Sequence, residues 1–411
     1  MKERGSGNKP DIEGVQDRGE ATGMMEPLLL GESCRARPAL SDLALELAQR
    51  SAGLRRSLPE TLVASLGNLV RSMNCYYSNL IEGHETHPID IERALNNDYS
   101  KDVHKRDLQL EARAHIAVQR WIDEGGLKGK GVTTEALREI HRRFYAEMPE
   151  DLKRVEDPAT QERLPVNPGE LRRRNVQLGQ HVAISPGAVP RFLARIESGL
   201  GALGKAETVL AAAAVHHRLA WIHPFLDGNG RVVRLLSHAM LLDTLDTGAI
   251  WSISRGLARN VESYKRHLAA CDLPRRNDLD GRGTLSEEAL AAFTEFFLRT
   301  CLDQVKFMEG LVQPERLRAR ILLWAEEEIR LGVLPPKSGL ILEALLYRGA
   351  LQRGEIAGIL GVGERQGRRV AAALAGLGLI LSETSRAPIW LAFPASLAAR
   401  WMPGLFPEKA E

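Results

Sequence analysis

The sequence predicts a mainly α-helical chain with one short β-hairpin near its middle and a small winged helix-turn-helix at its C-terminal end. Three observations lead there. Apolar residues recur at helical spacing over most of residues 39–268, where β-branched alternation is scarce. A Pro- and Gly-rich interruption at residues 157–190 contains an alternating stretch, residues 175–184. Beyond Lys337 the order becomes helix, glycine turn, helix and hairpin.

Bulk composition sets the bounds. The chain has 411 residues, 44% hydrophobic and 26% charged, which suits a globular protein of two or three domains. Its 55 basic and 53 acidic residues nearly cancel, so no whole-chain nucleic-acid signature exists. Cys34, Cys75, Cys271 and Cys301 are scattered without CxxC spacing and read as reduced thiols. No apolar run approaches the roughly 20 residues needed to span a membrane. Residues 1–31 lack a signal peptide's apolar core, so the expectation is a disordered tail on a cytoplasmic protein. The expected organisation is a tail at 1–38, a helical region at 39–130, a core with trailing helices at 131–311, and the winged-helix region at 337–411.

The elements follow in order. Ser57-Leu58-Pro59-Glu60 reads as a helix start with Ser57 as N-cap, and apolar spacing continues through Leu62, Val63, Leu66, Leu69, Val70 and Met73. Further helices are expected at 108–121 and 134–145. In the interrupted region the hairpin turns at Gly179-Gln180, and its free edge suits an extended peptide docking on Val176, Leu178, His181 and Val182. Helices at 206–222, 230–242 and 285–311 come next, then a linker at 331–336. The C-terminal region has helices at 354–360 and 364–377, and a hairpin at 379–391 with Arg386 near its tip. Arg365, Arg368 and Arg369 lie on the second of these helices, where they can reach DNA phosphates or bases. A packing domain is the plainer alternative.

The chemistry concentrates in His223-Pro-Phe-Leu-Asp-Gly-Asn-Gly-Arg-Val-Val-Arg234. Gly228 and Gly230 flank Asn229, allowing close approach of backbone to a ligand. A helix starting there aims free N–H groups and its positive dipole end outward, which makes an anion site. Arg231 and Arg234 can hold further phosphate oxygens. Asp227 is a hard oxygen ligand suited to Mg²⁺, and His223 can take a proton near neutral pH. Phe225 is expected to anchor the loop in the core. Together these groups describe phosphoryl or nucleotidyl transfer.

The loop resembles the Fic family, whose pattern His-x-Phe-x-(Asp or Glu)-Gly-Asn-Gly-Arg-x-x-Arg is met at His223, Phe225, Asp227, Gly228, Asn229, Gly230, Arg231 and Arg234. The likeness extends over roughly residues 40 to 300. Pro168-Gly169-Glu170-Leu171-Arg172 is similar to the stretch leading into the family's target-clamping flap. The resemblance implies a Fic-type helical bundle that transfers AMP from ATP to a hydroxyl of a protein target or of itself. His223 would deprotonate that hydroxyl, and Asp227 would hold Mg²⁺. Asn229 with neighbouring amides would seat the α- and β-phosphates, and the two arginines would orient the outer ones. Tyr264 and Asp272 fall where some relatives contact adenine.

Upstream, Ser78-Asn-Leu-Ile-Glu82-Gly83 places Ser78 and Glu82 one helical turn apart, with Gly83 suited to the helix end. Beside the loop this resembles the family's inhibitory motif, which implies that Glu82 pairs with Arg234 and denies it to the γ-phosphate. The same glutamate helps remove AMP in some relatives. The alternatives are de-AMPylation, transfer of another nucleotide or of phosphate, and a DNA-binding regulator with a silenced site. The intact Gly228-Asn229-Gly230 argues against kinase-like relatives. Expected partners are ATP and a protein target, with a second copy of the chain and DNA left open, and no membrane. His216, His217 and His238 match no zinc spacing, Asp278 to Gly283 reads as a turn rather than a calcium loop, and Arg172 to Arg174 reads as a solvated face.

Overall fold

The computed structural model describes residues 15–157, 161–201 and 203–407. Helix accounts for 61% and strand for 5%, so the mainly helical expectation holds. The described residues fall into two compact units. Among the described residues, one draws on those up to Ser41, on Leu127–Met240 and on Glu262–Phe296, and the other on Asp42–Gly126, on Leu241–Val261 and on those from Phe297 onward. No described helix is long and apolar enough to cross a membrane.

The first unit is built around the helix Lys205–Ile222. Its residues from Val209 to Ile222 are buried except Ala220, as a helix apolar on all faces requires. Val189–Leu200 packs on it and on Thr134–Ala146, whose N-cap Thr133 accepts a hydrogen bond from the Ala136 amide at 3.1 Å. The expected hairpin forms from Gln177–Leu178 and His181–Val182, with Gly179 at φ 60° in its turn. A second two-stranded pairing, Arg154–Glu156 with Arg163–Pro165, carries too few residues to show alternation in the sequence.

The disordered-tail expectation for residues 1–38 is overturned from residue 15 onward; residues 1–14 lie outside the described residues. Met25 and Leu28 are buried. The Arg218 guanidinium donates to the Pro27 carbonyl at 2.8 and 3.1 Å, and the Leu285 amide donates to the Glu26 carbonyl at 2.8 Å. Arg191 grips the Asp17 carboxylate and holds its pKa down to about 2. Average polarity concealed this strap, because its few apolar residues sit inside a charged stretch.

In the second unit the helix Glu60–Ile81 is the hub. It packs against Pro88–Leu95, Val103–Asp123 and Ile253–Arg259. Asn74 at its centre donates to Gln119 at 2.6 Å and accepts from Ser252. Ser57 is not its N-cap: Pro59 takes that position without a side-chain bond, and Ser57 Oγ donates to the Leu54 carbonyl to close the preceding helix Arg37–Arg56. The expected linker at 331–336 is a turn between two helices that pack together, Pro314–Arg330 and Ser338–Arg348, with Gly332 at φ 76°. The C-terminal region reads helix Ser338–Arg348, strand Ala350–Leu351, helices Glu355–Leu360 and Glu364–Gly376, then strands Ile380–Leu381 and Ile389–Leu391. The last strand lies between the other two, antiparallel to both. That strand also packs on Glu60–Ile81, and Phe406 meets the Tyr76 ring edge-on at 5.9 Å. The expected boundary before residue 337 is thus not a break in packing.

If the strap is part of the core, Met25→Ala lowers unfolding free energy by about 2–5 kcal/mol, as cavity-forming substitutions do. A urea-unfolding curve unchanged by that substitution would return the segment to tail status.

Candidate active site

The loop opens where Lys205–Ile222 ends. His223 is the C-cap, with φ 52° and ψ 64°, and its amide donates to the Leu219 carbonyl at 3.0 Å. This left-handed turn swings the chain toward the next helix, Asn229–Leu245. Burial pushes the His223 pKa down to about 4, helped by the Arg172 charge and opposed by Asp227. At neutral pH the ring is therefore uncharged.

Two interactions close the loop. Asn229 accepts from the Phe225 amide at 2.9 Å and donates to the Phe225 carbonyl at 2.8 Å. Both polar ends of that side chain are engaged in folding the loop, and Nδ2 keeps a second N–H. Phe225 is fully buried and stacks on His141 at 4.0 Å, as its anchoring role requires. Gly228, at φ 77°, cannot carry a side chain, because a Cβ would stand 2.9 Å from the Tyr145 ring.

The helix Thr134–Ala146 buttresses this loop through residues the sequence did not single out. The Tyr145 hydroxyl donates to Asp227 Oδ2 at 2.6 Å, which orients the carboxylate and leaves its other oxygen for a cation. His141 Nδ1 accepts from the Gly169 amide at 2.8 Å, so its proton sits on Nε2, facing the Asp227 carbonyl at 3.3 Å. Burial lowers the His141 pKa to about 4, keeping that tautomer neutral.

Arg231 and Arg234 are buried on the first turns of Asn229–Leu245, and the Arg231 guanidinium lies 5.3 Å from the Phe144 ring centre. Tyr264 and Asp272 have structural partners: Tyr264 shares a 2.7 Å hydrogen bond with His216 Nε2, and Asp272 one of 2.9 Å with His217 Nε2. Burial pushes His216 to about 3 and His217 to about 4, so both are neutral core groups. On the flap, Leu178 and Val182 are exposed, but His181 turns inward to the Trp221 carbonyl at 2.8 Å, and Val176 is half-buried. Arg172 is buried, against the solvated-face expectation, while Arg173 and Arg174 are exposed. Asp280 caps the helix Glu287–Val312 by accepting from the Glu288 amide at 2.8 Å.

In the second unit Ser78 is buried, Glu82 caps Glu60–Ile81, and Gly83 takes the left-handed position at φ 85°. Arg365, Arg368 and Arg369 are exposed on Glu364–Gly376, with Arg368 3.6 Å from Glu364.

Residues 131–241 match the Fic/DOC family. The protein adenylyltransferase Fic of Culex quinquefasciatus is 29% identical over 194 residues, covering 46% of this chain and 34% of that protein. The protein of the same name from Drosophila erecta is 26% identical over 203 residues, covering 49% and 36%. The chain thus spans about a third of the length of the curated relatives it matches. A Fic family protein from Desulfovibrio desulfuricans G20 shares the fold, with a TM-score of 0.51 at 17% identity over 89% of this chain and 98% of its own. The residues that match, 131–241, hold the entire motif loop.

Proposed function

We propose that this chain transfers AMP from ATP to a hydroxyl side chain of a protein. The observation that carries the reading is a neutral His223 and a positioned Asp227 on one short loop that opens onto a helix N-terminus. In the reaction His223 takes the target's hydroxyl proton, and the oxygen attacks the α-phosphorus of ATP. The bond from that phosphorus to the bridging oxygen breaks, and pyrophosphate leaves. First-turn amides with Arg231 and Arg234 hold the phosphates, so positioning and charge stabilisation supply most of the rate. Asp227, its carboxylate oriented by Tyr145, would hold Mg²⁺. That cation would neutralise charge building on the leaving group.

The likeness of Ser78 to Gly83 to the family's inhibitory motif supports a brake at Glu82. With Mg²⁺ and α-labelled ATP, Glu82→Gly is expected to incorporate label well above the parent chain, and His223→Ala in that background to incorporate none. Incorporation at or below the parent level in Glu82→Gly would sink the brake. Label arriving from γ-labelled ATP instead would make the reaction phosphate transfer.

The depressed His223 pKa gives an independent check. In nucleotide-free protein its ring, followed by NMR, should titrate near about 4 rather than the ordinary 6.5. The base is then unprotonated throughout the physiological range. A midpoint near the ordinary value would contradict that depression.

A second reading is favoured by the exposed Arg365, Arg368 and Arg369 within a winged-helix element order, with Arg386 exposed in the wing. It predicts duplex DNA binding that weakens steeply with salt and is lost when all three helix arginines become alanine. A mobility shift unaffected by the triple substitution would leave the C-terminal region as a packing element.

A further inference from the structure

We infer that Arg172 is the positioning residue of His223, its guanidinium fork holding the backbone of the base in a left-handed turn and joining that turn to the flap. The inference rests on the reading of His223 as the transferring base.

The need for such a residue is physical. His223 adopts φ 52°, a conformation that costs a non-glycine residue roughly 1–2 kcal/mol. Glycine ordinarily occupies this place after a helix, but glycine has no imidazole. The preceding turn also leaves carbonyls without intrahelical donors. Some other group must hold the strained turn and satisfy those carbonyls.

Arg172 does both. Its Nε donates to the His223 carbonyl at 2.7 Å, and Nη2 donates to the Ile222 carbonyl at 3.3 Å. Its own amide donates to the Pro224 carbonyl at 2.9 Å. Three consecutive residues around the base are thus tied to one arginine. A cation at a helix C-terminus is also favoured by the helix dipole. The side chain is buried, and burial pulls its pKa down to about 10, so it remains charged at neutral pH.

The other donors reach the flap. Nη2 also donates to the Ile184 carbonyl at 2.5 Å, and Nη1 to the Arg174 carbonyl at 2.8 Å. Arg174 and Ile184 stand at the two stems of the hairpin, whose base is closed by the Ala183 amide donating to the Val176 carbonyl at 3.2 Å. One fork therefore spans both stems and the base-bearing turn. A target segment that shifts the hairpin as it docks also shifts the group that aims His223, linking target engagement to readiness of the base. Lysine cannot replace it, because an ammonium is a point charge without a planar set of donors.

The test uses the full chain carrying Glu82→Gly, with Arg172→Lys and Arg172→Met added singly. With Mg²⁺ and α-labelled ATP, kcat should fall about 100-fold in the lysine variant, the scale of a small misplacement of a reacting group. The KM for ATP should stay unchanged, which a general loss of structure would not allow. The NMR signal of the His223 backbone amide should move in the same variant. A lysine variant with the parent's kcat, or a loss confined to the ATP KM, overturns the inference. Should Arg172→Met fail to fold, the lysine variant decides alone, since it keeps the charge and much of the volume. Should Glu82→Gly itself transfer nothing, the proposed reaction fails separately. The amide shift then decides the positioning role, and an unmoved signal rejects it.

Discussion

The reciprocal pair of hydrogen bonds between Asn229 and the Phe225 backbone is the interaction on which the rest of the site depends. It closes a loop that ends one helix, starts the next, and carries an imidazole and a carboxylate between them. With Phe225 stacked on His141 and Asp227 held by Tyr145, the loop has a floor and a wall. The start of the second helix then lies directly after Asp227 and Gly228, its positive dipole end turned toward the loop. Without the closure, His223 and Asp227 would be two polar residues on a mobile connection.

Burial does the electrical work. His141, His216, His217 and His223 all have pKa values pushed well below the usual histidine range by burial. The core around the loop is thus supported by neutral imidazoles that donate and accept hydrogen bonds in fixed tautomers. The positive charge near the site comes instead from arginines and the helix start, which hold it without titrating. An arrangement of that kind favours an anionic ligand and leaves one neutral ring able to accept a proton.

The loop was legible in the sequence because its chemistry is contiguous, twelve residues carrying base, carboxylate, glycines and arginines in one pattern. The helices at its two ends were legible from apolar spacing, and the flap from its alternation. What supports the loop was not legible, because those partners are far apart in the chain: His141 and Gly169 by 28 positions, Arg172 and His223 by 51, Tyr145 and Asp227 by 82. Arg172 looked solvated because it begins a run of three arginines, and only the fold separates it from its exposed neighbours. The strap at residues 15–30 was hidden by composition, since a handful of buried apolar residues weighs little in a charged stretch. The strand Ala350–Leu351 was invisible for another reason: two residues show no period, and only pairing with Ile389 and Trp390 makes them a strand.

We propose the motif loop as a magnesium–nucleotide site organised around Asp227. Calorimetric titration of ATP into the full chain, with and without Mg²⁺, tests it most directly when repeated on Asp227→Asn, which keeps the acceptor for Tyr145 but removes the charge. Mg²⁺ is expected to strengthen ATP binding to the parent, and this strengthening is expected to disappear in the variant. Strengthening that survives the loss of the carboxylate, or no ATP binding at all by the parent chain, would contradict it.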